Sequence, residues 1–76
     1  MNVPRRTARQ VVTAATQQDP SIEPAVAEQI ALTCIAVMDE DPTATPDEVA
    51  RQCLAKHRDA DVSWINHIAR ITAGLS

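Results

Sequence analysis

Hydrophobic positions in this chain recur three and four residues apart in four stretches, each bounded by prolines or acids. At about 100° per residue that spacing gathers apolar side chains on one face of a helix, and the alternation expected of strands is nearly absent. The first stretch, residues 4–18, opens at Pro4 and collects Ala8, Val11, Val12 and Ala15 opposite Arg6, Arg9, Thr13 and Thr16. Only its two valines exceed a methyl group, so this is the weakest helix and needs docking to persist.

The second helix is expected from near Ser21, after the turn-forming Asp19-Pro20-Ser21, to about Asp39. Its apolar arc holds Val26, Ala27, Ile30, Ala31, Cys34, Ile35, Val37 and Met38, the broadest in the chain and therefore the central one. Leu32, flanked by Ala25 and Ala36, makes a second strip on the opposite side, which either the first helix or a second copy must cover.

Thr45-Pro46-Asp47-Glu48 carries a cap, a proline suited to the first helical position and a glutamate placed to close a capping box. A third helix follows to about Arg58, with Val49, Ala50, Cys53, Leu54 and His57 on one face. The fourth runs from about Val62 to Ala73, capped by Asp61 or Ser63 and stopped by Gly74. Trp64, Ile65, Ile68, Ala69, Ile71 and Thr72 form its apolar side, with Ser63, Asn66, His67 and Arg70 opposite.

The fold class that follows is all-α: one small domain of 76 residues, a bundle of four short helices with the second at its centre and residues 1–4 flexible. Thirteen alanines and a single aromatic residue make the core shallow. A large enzyme cleft does not fit such a chain, and one glycine is too few for a phosphate-binding loop. No run is long and apolar enough for a signal peptide or membrane span, and Cys34 and Cys53 are read as free thiols, so the chain reads as cytoplasmic.

The net charge of −3 conceals segregation. Residues 1–18 carry three arginines and no acid, and residues 19–48 carry eight acids with no Lys or Arg. Acids at the end of the second helix have the wrong sign for its dipole, which points to another role. The expected function is therefore a non-enzymatic protein-interaction or regulatory module, without cofactor or metal. Its surface is Glu28, Leu32, Asp39, Glu40, Asp41 and Trp64, its partner a basic protein, and its state a homodimer burying Leu32 or Trp64.

The alternative is a helix-turn-helix reading nucleic acid with the fourth helix. Ser63, Asn66, His67 and Arg70 would meet bases and phosphates, and Arg5, Arg6 and Arg9 would supply a basic arm. Against it stand a sequence pI near 5.1 and two acids in the Asp59-Ala60-Asp61 link. Cys34, Cys53, His57 and His67 are zinc-ligand types, yet their spacing matches no finger, and His67 lies on the polar arc away from Cys34.

Overall fold

A computed structural model describes residues 7–74 and places them in α1 (Ala8–Gln18), α2 (Pro24–Glu40), α3 (Pro46–Lys56) and α4 (Val62–Gly74). Pro4 and the arginines at 5 and 6 lie outside the described residues, as does the segment 1–4 expected to be flexible. The first helix starts at Ala8 because Thr7 is extended and caps it. Thr7 Oγ1 accepts from the Gln10 N–H at 3.2 Å, and Gln10 Oε1 accepts the Thr7 N–H at 2.9 Å, a complete capping box.

The box expected at α3 forms only by half. Thr45 Oγ1 accepts from the Glu48 N–H at 3.3 Å, and the return bond from Glu48 is not made. The second helix begins at Pro24 rather than near Ser21, with Pro24 at its first position, where a missing N–H costs nothing. The third ends at Lys56, since the His57 backbone, at φ −124° and ψ 64°, has already left the helical region.

The three links, residues 19–23, 41–45 and 57–61, share one geometry. The first residue of each, Asp19, Asp41 or His57, donates its N–H to the carbonyl four back in the preceding helix. Its own carbonyl accepts from the fourth residue of the link, Ile22, Ala44 or Ala60. That fourth residue packs inward, with Ile22 buried and Ala44 and Ala60 partly buried against the core. No described residue adopts positive φ, so these helices stop without the left-handed cap that glycine usually provides.

An aspartate stiffens every corner. Asp19 Oδ1 accepts from the Ser21 N–H at 3.1 Å, Asp41 Oδ1 from the Thr43 N–H at 3.1 Å, and Asp61 Oδ1 from the Ser63 N–H at 2.8 Å. Ser21 Oγ and Thr43 Oγ1 add bonds of 2.5 and 2.7 Å to the same carboxylates. The Ser21 hydroxyl and N–H hold the Asp19 carboxyl below its ordinary value of 3.8, with a smaller contribution from the nearby His67. The cap of α4 is thus Asp61 and not Ser63.

α2 touches all three other helices, and so does α4, whereas α1 and α3 do not meet. The centre is therefore a pair of helices, α2 with α4, flanked by the other two. Ile30, Cys34, Val49, Cys53, Ile65 and Ile68 are buried at this junction together with Ala27, Ala31 and Ala69. Thr72, the buried polar residue among those described, donates its hydroxyl to the Ile68 carbonyl at 2.7 Å and so brings no unmet bond into the core.

Candidate protein-interaction surfaces

The inward face of α2 is consumed by its contacts with the other helices, which leaves the outward strip to solvent. Ala25, Glu28, Leu32, Ala36, Asp39 and Glu40 are all exposed there, and Leu32 is 50% exposed. α1 docks on α2 without covering Leu32. A shallow groove between these two helices, lined by Arg9, Val12, Ala25 and Glu28, continues the strip sideways and puts one cation beside the acids.

A second surface lies between α3 and α4. Arg51, Leu54, Ala55, Arg58 and Val62 line it, with Leu54 partly buried as its floor and Val62 51% exposed at its edge. Asp47, on the first turn of α3, lies toward the other end, near Ile65 and Asn66. The result is an apolar trough with two guanidinium groups beside it.

The remaining residues singled out from the sequence are dispersed. Asp41 is exposed, but its Oδ1 ties the α2–α3 corner, which accounts for one of the acids that oppose the helix dipole. Trp64 is partly buried and packs against the core. Ser63, Asn66 and Arg70 are exposed on α4, and Arg9 is exposed on α1.

His67 departs from its expected place on the solvent arc. It is half-buried, and its Nε2 is buried with no hydrogen-bond partner. Contacts of α4 with α1 as well as α2 and α3 enclose a wider arc of the helix than one apolar face would suggest. The Nε2 edge of His67 therefore does not share the exposure of Ser63, Asn66 and Arg70.

The cysteines and the other histidine form the α2–α3 seam. His57 Nε2 lies 2.6 Å from Thr33 Oγ1, and that hydroxyl is 3.1 Å from the Gln29 carbonyl; with the hydroxyl proton on Gln29, the ring nitrogen is the donor. Cys34 and Cys53 are fully buried free thiols in contact with each other, and Cys53 donates to the Ile30 carbonyl at 3.8 Å. Among the described residues no three His, Cys, Asp or Glu side chains gather to hold a metal ion.

The hydrogen bond to Cys53, reinforced by burial, pushes the Cys34 thiol far above its ordinary value of 9.0. The same bond lowers Cys53, against burial, which raises it. Above pH 9 the unfolded chain gives up the Cys34 proton and the native chain keeps it, so stability falls as pH rises. The lowered Cys53 thiol has the opposite sign, its contribution growing as pH rises toward the ordinary thiol value and levelling off above it. Unfolding free energies from urea titrations between about pH 9 and 10.5 should decline by up to about 1.4 kcal/mol per pH unit from this group, and less steeply in Cys34→Ala. Parallel declines would show that no such proton is retained.

Comparison with protein-family models, curated proteins and solved structures finds no match. No helix among the described residues is long and apolar enough to cross a membrane.

Proposed function

We infer that this chain is a non-enzymatic interaction module that binds a basic protein partner through the outward strip of α2. The observation that carries this reading is Leu32, a large aliphatic side chain half in water and in line with Glu28, Asp39 and Glu40. A leucine so placed supplies the buried area of an interface when a partner covers it, and the carboxylates around it select that partner by charge and speed encounter.

The helix-turn-helix alternative draws on the exposure of Ser63, Asn66 and Arg70 along α4. It is weaker because His67 turns inward and Asp59 and Asp61 sit exposed at the link, where they would repel phosphate.

An affinity capture comparing the native chain with Leu32→Glu and with the combined Asp39→Asn and Glu40→Gln variant decides between the readings. The basic partner should be depleted about tenfold or more by each variant, the scale of a lost interface anchor. Equal recovery from all three would refute the reading. A salt-sensitive shift of duplex DNA lost in Arg70→Ala would put the helix-turn-helix in its place.

A further inference from the structure

We propose that the chain associates with itself head to tail, the Leu32 strip of one copy seating in the α3–α4 trough of the next. The proposal rests on the strip being an interaction surface, as above, and names a second copy as one occupant of it.

The two exposed large hydrophobic residues among those described are Leu32 and Val62, at 50% and 51%. Their surroundings have opposite sign. Leu32 stands with Glu28 and Glu40 along α2, and Val62 borders a trough containing Arg51 and Arg58.

Shape agrees with charge. The strip is a convex helix face with one protruding leucine between alanines, and the trough is concave, floored by Leu54 and flanked by two helices. Asp47 at one end and the exposed Asp59 and Asp61 beside Arg58 at the other repel carboxylates, so the strip's acids should settle between them, nearest Arg51. Burying Leu32 against Leu54 and Val62 supplies the attraction, and the rim charges fix the orientation.

Strip and trough share no residue, which makes the contact heterologous. Each added copy leaves one strip and one trough open, so assembly proceeds beyond a pair unless the geometry closes a ring. The closed homodimer expected from the sequence would instead use one patch twice.

Light scattering coupled to size exclusion, or sedimentation equilibrium, from about 10 µM to about 1 mM covers the affinity range of such small contacts. The native chain should show a mass that climbs past two copies with concentration. Leu32→Glu and Val62→Glu should each remain monomeric with unchanged helix content, because both sites are exposed and glutamate suits a helix interior and a first turn alike.

Mixing the two variants is the decisive step. Leu32→Glu retains an intact trough and Val62→Glu an intact strip, so an equimolar mixture should form a pair and stop there. A native chain that stays monomeric at about 1 mM, a variant that still assembles, or a mixture that does not pair would overturn the proposal. A monomeric native chain whose Leu32 still governs capture of a basic partner would refute self-association alone. If Leu32→Glu changes neither mass nor capture, the function proposed above falls with it.

Discussion

Ile68→Ala should leave a substantial fraction of the chain unfolded at 25 °C. Ile68 lies on α4, one of the two helices that touch every other, and it is fully buried. Removing its outer carbons forfeits their transfer free energy and leaves a hole, together about 2 to 5 kcal/mol. A domain this small rarely has more than about 3 to 5 kcal/mol in total. Loss follows from comparing those figures, because the alanine-rich neighbourhood has few long side chains able to swing in and fill the gap. Circular dichroism at 222 nm through a urea titration measures it. A native-like baseline with a midpoint close to that of the unaltered chain would show that the core is less tightly organised than described.

The opposite insult, Ala31→Leu, should be nearly as damaging. Ala31 is fully buried on α2, and that helix contacts all three others, so extra carbons have to displace at least one neighbour. Overpacking of this kind costs about 1 to 3 kcal/mol, and for a domain of this size each kcal/mol lowers Tm by about 4 to 8 °C. The next residue provides the contrast within the same helix. Leu32 already carries the larger side chain at no packing cost because it points into water. An Ala31→Leu chain that melts at the unaltered temperature would mean that α2 and its neighbours have room between them.

The contrast between residues 31 and 32 also shows what can be read from the chain alone. Period and proline placement are local properties, so the four helices, the cap at Thr45 and the open Leu32 strip follow from them. Ile22 does not, because it lies in a link where no periodicity marks it, yet it is buried as the inward residue of the α1–α2 corner. The Thr7–Gln10 box is visible as a spacing, but placing the helix start at Pro4 hides it.

Helical spacing says less where two elements must be known together. His67 looks solvent-facing when α4 is drawn by itself and becomes half-buried once α4 has neighbours on several sides. The α3–α4 trough likewise belongs to neither helix, since its floor comes from Leu54 and its edge from Val62. The acids at Asp19, Asp41 and Asp61 are plain in the sequence as a concentration of charge, whereas their carboxylate-to-backbone bonds emerge only with the corner geometry.

Those corners bear on the order of events as the chain collapses. Each aspartate finds its donor only two residues ahead, so its loop is already short before any long-range contact exists and little closure entropy is left to overcome. Hairpins of adjacent helices can then arise on the microsecond scale of local structure. The slow remainder is the meeting of α4 with the distant α1 and α2, which makes α4 the clasp that locks the earlier helices.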